Sequence, residues 1–112
     1  MQREVKIYLH DIRQACALLA QFTEDKSLAD YRADALLRSG VERQFAIIGE
    51  AMGMMLKVAP ELSDCITDAV HIIGFRHVLI HGYARVSDET VWGVVETHLP
   101  QLSREIDGLL AL

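Results

Sequence analysis

Apolar residues recur at intervals of three and four along most of this chain, the spacing of helices that bury one stripe. Over residues 3–22 the stripe is Val5, Tyr8, Leu9, Ile12, Cys16, Leu19 and Phe22, and it predicts a first amphipathic helix. The polar run Thr23-Glu24-Asp25-Lys26 breaks it. Ser27, with Asp30 three residues on, has the form of a capping signal. It precedes a short second helix carrying Leu28, Tyr31, Ala35 and Leu36, which Gly40 is expected to end or bend. A third helix, about residues 41–58, presents Val41, Phe45, Ile48, Met52 and Met55 on one face, with Arg43 and Glu50 sharing another. Pro60 stops the pattern, because proline has no N–H to donate and clashes with the preceding turn.

After a corner at residues 60–63, a fourth helix over about residues 64–81 carries Ile66, Val70, Ile73, Phe75, Val78 and Leu79. These positions fall on more than one side, which predicts a helix that is central or at an interface. Ser87 or Asp88 can cap a last helix holding Val91, Trp92, Val95, Leu99, Leu102, Ile106 and Leu109, in which Pro100 either adds a kink or marks a new start. No stretch reads as a strand, a repeat, a low-complexity tract or a linker. The expected fold class is all-α, an antiparallel helical bundle of about five helices.

A chain of 112 residues that is 51% hydrophobic can bury a sizeable core, so residues 1–112 are expected to form one domain. The run Met52, Met54, Met55 and Leu56 is consistent with a homodimer, and equally with methionines filling the core of one chain. No apolar run has the roughly 18 to 20 residues needed to span a bilayer. The charged start, Met1-Gln2-Arg3-Glu4-Val5-Lys6, lacks the apolar stretch of a signal peptide, so a cytoplasmic protein is expected. Cys16 and Cys65 sit among apolar neighbours far apart in sequence and read as buried free thiols. A net charge of −5 argues against coating nucleic acid nonspecifically, since that affinity comes from Lys and Arg neutralising phosphates. A local basic site on an acidic body fits a transient substrate better.

That site is suggested by Arg76-His77-Val78-Leu79-Ile80-His81-Gly82-Tyr83. Arginine offers a planar fork of donors that matches phosphate oxygens, and imidazole accepts and gives protons near neutral pH. Arg76 and His81 are five residues apart, about 140 degrees around an ideal helix, so one helix does not aim both at one atom without Arg's reach or a second subunit. His77 and His81 have the i, i+4 spacing of metal ligands, yet no third ligand stands at a companion spacing, so no metal site is expected. Asp11, Asp30, Asp34 and Glu24 form no spaced carboxylate set and read as solvated faces. His10, His71 and His98 are read as surface residues. There is no Gly-rich phosphate loop and no cofactor is expected.

With the Arg, any four residues, His spacing and a Tyr two residues later, here Arg76, His81 and Tyr83, the chain resembles the HEPN superfamily. Within it, the resemblance is to the small HepT-like toxins whose partner is a minimal nucleotidyltransferase. The likeness extends over nearly the whole length, through Glu42-Arg43, Ile47-Ile48-Gly49-Glu50-Ala51, Gly74-Phe75, Val91-Trp92 and Leu99-Pro100. The family pattern usually has Asn after the Arg, where this chain has His77. That imidazole can still donate to phosphate or add a second acid or base, and it can equally mark altered or lost activity.

The resemblance implies a homodimeric, metal-independent endoribonuclease whose two motifs meet in an interface cleft, as the toxin of a toxin-antitoxin pair. Arg76 would hold the scissile phosphate, His81 would move the proton of the ribose 2′-hydroxyl or the 5′-oxygen, and His77 would assist at the phosphate. It further implies that a cognate nucleotidyltransferase silences the toxin by transferring AMP to Tyr83, with RNA rather than DNA as substrate. Other readings of the residues stand beside it. Arg76 and His81 could satisfy buried carbonyls or a carboxylate such as Glu50, Tyr83 could be a partly buried aromatic, and Arg43 with Glu50 reads as a polar pair between helices that positions the motif. The bundle could also be a noncatalytic dimerising adaptor that binds a nucleotidyltransferase or a nucleotide.

Overall fold

The first helix, α1 (Arg3–Thr23), follows its pattern closely: Val5, Leu9, Ile12, Ala15, Cys16 and Leu19 are buried along one stripe. The computed structural model describes residues 1–82 and 86–112. Helix α2 (Leu28–Ala33) begins on a reciprocal cap. The Ser27 hydroxyl accepts from the Asp30 N–H at 3.1 Å, and the Asp30 carboxylate accepts from the Ser27 N–H at 2.9 Å. That backbone hydrogen bond, more than any neighbouring charge, holds the Asp30 carboxyl below its ordinary value.

The boundary expected at Gly40 lies instead at Asp34. Asp34 is extended (φ −124°, ψ 100°) and its carboxylate accepts from the Leu37 N–H at 3.1 Å, which starts α3 (Ala35–Val58). Helix α3 then runs straight through Gly40. A glycine lowers helix stability by about 1 kcal/mol and does not by itself stop a helix. Here it admits α1, because a Cβ at this position would stand 3.4 Å from the Phe22 ring. Ala35 and Leu36 therefore belong to α3, and Leu36 lies in water.

Pro60–Cys65 forms a 3₁₀ turn where the fourth helix was expected to begin, and α4 spans Ala69–His81. The delay has a long-range cause. The Thr67 N–H and hydroxyl both donate to the Glu105 carboxylate, at 3.1 and 2.8 Å, so this stretch is tied to a distant helix rather than to its own. Ser87 accepts from the Thr90 N–H and caps α5 (Asp88–Thr97). Pro100 marks a new start and not a kink: α6 (Leu99–Leu110) carries it in its first turn, where a proline loses no helical bond. The split of the last helix gives six α-helices among the described residues where about five were expected, and the all-α class stands.

Helix α3 is the centre of the packing, with α1 on one side, α4 folded back along the other, and α6 closing on α1. Tyr31 of α2 packs on Trp92 of α5 with ring centroids 5.4 Å apart. Met52 and Met55 are fully enclosed while Met54 is partly exposed, so most of this run fills the core of the chain itself. Cys16 is buried, and burial, helped by Asp107, pushes its thiol up to about 12. Cys65, expected to be buried, is exposed, because the 3₁₀ turn rather than a packed helix carries it. Among the described residues no helix is long and apolar enough to cross a membrane.

Candidate active site

Helix α4 has apolar residues all round and buries few of them. Ala69 and Leu79 are buried, whereas Val70 is 74% exposed and Val78 and Ile80 are each 43% exposed. Phe75 packs edge-on against Phe45 of α3 with ring centroids 5.4 Å apart, and a charged residue stands beside it on that side. A Cβ built on Gly49 of α3 would stand only 2.4 Å from the Cβ of Arg76, so the two backbones meet closely there. The half-buried Arg76 extends toward the next residue of α3, and its terminal nitrogen lies 4.0 Å from a Glu50 carboxylate oxygen. An ion pair that long, with Glu50 mostly in water, contributes less than about 1 kcal/mol and serves to aim the guanidinium. The Arg76 Nε is enclosed without a hydrogen-bond partner among the described residues.

His77 and His81 lie on the outer side of the same helix, both exposed. Their rings come together, with centroids 4.7 Å apart and planes tilted by 45°. The helix closes with the Gly82 N–H donating to the Val78 carbonyl at 2.8 Å. Tyr83 lies outside the described residues. The structure thus joins His77 to His81 and Arg76 to Glu50, but does not join Arg76 to His81. Their separation around the helix survives folding. Arg43 is exposed on α3 and forms no ion pair among the described residues, so the expected partnership of Arg43 and Glu50 is replaced by that of Arg76 and Glu50.

His71 is exposed near Asp68, at 3.5 Å, and His10 and His98 are exposed as well. A groove of about 350 Å³ lies between α3, the first half of α4 and the corner of α5 and α6. Phe45, Ile72, Phe75 and Leu102 line it, and Arg76, His77 and His81 do not. The motif therefore lies outside this groove. Chemically it offers one guanidinium with a set direction and, across the helix, two adjacent imidazoles of which one can accept a proton while the other donates.

Residues 12–109 of the chain match the family described as Ribonuclease HepT-like. The chain belongs to this family. Among curated relatives of this HepT-like chain, the "Probable ribonuclease HepT" of Thermococcus cleftensis is 30% identical over 97% of the chain and 98% of the relative. The Methanocaldococcus jannaschii protein named "Gamma-glutamylcyclotransferase and putative RNase" is 32% identical over 95% of the chain, which spans 47% of that longer relative. No solved structure matches the chain. Membership agrees with the HEPN-like, all-helical architecture described above.

The position that sequence reasoning did not single out is Gly49. It appeared only as one letter of the family-like flank. The available signal was local: a glycine inside a helix, next to an acid, at a place where alanine would suit the helix better.

Proposed function

We propose that this HepT-like chain is a metal-independent endoribonuclease, the toxin of a toxin-antitoxin pair, acting as a homodimer with its two α4 helices facing each other. The observation that carries this reading is the outer face of α4, where His77 and His81 stand among uncovered valines and an isoleucine. Gly74 lies on that face with nothing within 4 Å of where a Cβ would be, so a second helix can approach closely. Pairing two such helices supplies what a single one lacks, an Arg76 from one copy near the His81 of the other.

In this reading Arg76 grips the nonbridging oxygens of the scissile phosphate and offsets the charge that develops there. The ribose 2′-oxygen attacks phosphorus as its proton passes to an imidazole. The bond from phosphorus to the 5′-oxygen breaks, and that oxygen takes up a proton. His81 moves one of these protons and His77 supports the phosphate. The products are a 2′,3′-cyclic phosphate and a 5′-hydroxyl, and DNA, lacking the 2′-hydroxyl, is not cut. A cognate minimal nucleotidyltransferase would silence the enzyme by transferring AMP from ATP to the Tyr83 hydroxyl, which gives up its proton as pyrophosphate leaves, and the added anion would oppose RNA at the site by charge and volume.

One observation favours a second reading. Arg76 turns toward Glu50 and away from His81, as it would in a noncatalytic adaptor that dimerises and holds a nucleotidyltransferase. Purified unmodified protein incubated with cellular RNA in excess EDTA, beside Arg76→Ala and His81→Ala, separates the two. The ribonuclease reading expects new cyclic-phosphate ends from the wild type and a loss of roughly 10²- to 10⁴-fold in each variant. Cleavage that survives either substitution overturns the site, and no cleavage by protein with Tyr83 verified as unmodified selects the adaptor.

A further inference from the structure

Gly49 does more in this fold than allow a helix to pass. It is buried in the middle of α3, flanked by Ile48, which is buried, and by Glu50, which reaches Arg76. A Cβ added there would meet the Cβ of Arg76 at 2.4 Å, the Ile72 carbonyl oxygen at 3.2 Å and the Cδ of Arg76 at 3.3 Å. The first of these atoms is fixed to the α4 backbone and the second belongs to it. Neither can rotate away as the tip of a long side chain can, so any side chain at 49 must push α4 outward by more than half an ångström to reach even the shortest real Cβ contact. The same α3 holds an internal control. Gly53, one turn on, has nothing within 4 Å of its virtual Cβ.

We infer that Gly49 is a positioning residue: its missing side chain is the seat that holds the Arg76 stem against α3 and sends the guanidinium along that helix to Glu50. This rests on the ribonuclease reading only for its consequence, that Arg76 meets phosphate. The seat itself is a statement about geometry. It is consistent with the enclosed Nε and with one terminal nitrogen lying 4.0 Å from the mostly exposed Glu50 carboxylate. The arrangement leaves the outer end of the guanidinium as the part presented to a ligand. Misplacing a charge-bearing group by about 1 Å is enough to cost roughly 10²-fold in a reaction that depends on it.

The test reads the seat and its consequence separately, on Gly49→Ala, Gly53→Ala and Arg76→Ala. Solvent exchange of the Arg76 Nε proton, followed by nitrogen-resolved NMR, is expected to be slow in the wild type and in Gly53→Ala and to accelerate in Gly49→Ala. An Arg76 signal unchanged by Gly49→Ala overturns the inference. The second measurement is binding of a 2′-fluoro single-stranded oligonucleotide, which cannot be cleaved, as a function of salt. Each phosphate contact on a single strand contributes about 0.7 to the slope of log affinity against log salt. Arg76→Ala is expected to lose that increment, Gly49→Ala to lose it too, and Gly53→Ala to keep it.

Equal slopes in wild type and Arg76→Ala would remove the phosphate role of Arg76, and with it the ribonuclease site, while the NMR comparison still judges the seat. If Gly49→Ala does not fold, the pair Gly49→Ala with Arg76→Gly decides. It deletes the opposing Cβ, so recovery of the cooperative melt is expected, and a failure to recover overturns the inference.

Discussion

Helices α1 and α4 draw on similar residues and differ in how many of the apolar ones they bury. In α1 the apolar stripe is inside and Arg3, Lys6, His10 and Arg13 face water. In α4 the side against α3 carries Arg76 beside Phe75 and Leu79, while Val70, Val78 and Ile80 are exposed along with His77 and His81. The first arrangement maximises what one chain gains by folding, since apolar area leaves water and charges stay in it. The second forgoes part of that gain. Departures from local consistency of this kind concentrate at functional sites, where a surface is built for something other than its own core. Under the proposed pairing, this uncovered side of α4 is the one that a second copy would cover.

The comparison breaks most visibly if the two helices respond alike to substitution. Ile12 of α1 is completely buried, and Ile12→Ala removes methyl and methylene groups from a closed core. A loss of about 2–5 kcal/mol is expected, read as a lower urea midpoint with little change in oligomeric state. Val70→Lys on α4 is expected to do the reverse. At 74% exposure the substitution should move the stability of a lone chain by no more than about 0.5 kcal/mol. Two lysines brought together across a paired α4 would instead oppose association. Sedimentation should show a dimer in the wild type and a monomer in Val70→Lys; a monomeric wild type would show that the uncovered valine serves no self-pairing.

The two helices also differ in how far they could be read in advance. The period of α1 and the Ser27 cap are local properties, legible because the responsible groups lie within a few residues of each other, whereas the sequence leaves open whether Ser87 or Asp88 caps α5 and whether Pro100 kinks or restarts the last helix. Gly40 has the look of a terminator but is only a weak helix former, and the boundary depends on the Asp34 carboxylate reaching the Leu37 N–H. The start of α4 was out of reach for another reason: Thr67 is held by Glu105, 38 positions away, and no periodicity reports such a bond. At the candidate site the residue types and their spacing were readable, and so was the divergence of Arg76 from His81. The pairing of Arg76 with Glu50 and the seat at Gly49 were not, because both depend on how α3 and α4 meet.

Glu42 and Glu50 repeat the contrast at smaller scale within α3. Glu50 has a cation to face. Glu42 is half-buried, and its carboxyl is raised above its ordinary value by burial first and then by Asp88, with Arg38 offsetting only part. The folded state therefore binds this proton more tightly than the unfolded chain does. The ionised carboxylate lowers stability above the folded value, and the penalty fades as pH falls through the ordinary carboxylate range near 4. Glu42→Gln is thus expected to raise the melting temperature at pH 7 and to leave it unchanged near pH 3. Because the side chain is partly solvated, the gain stays below about 1 kcal/mol. The opposite outcome, a loss at pH 7 that disappears near pH 3, would mean that a partner stabilises the ionised Glu42 carboxylate, and the contrast with Glu50, which has Arg76 to face, would vanish.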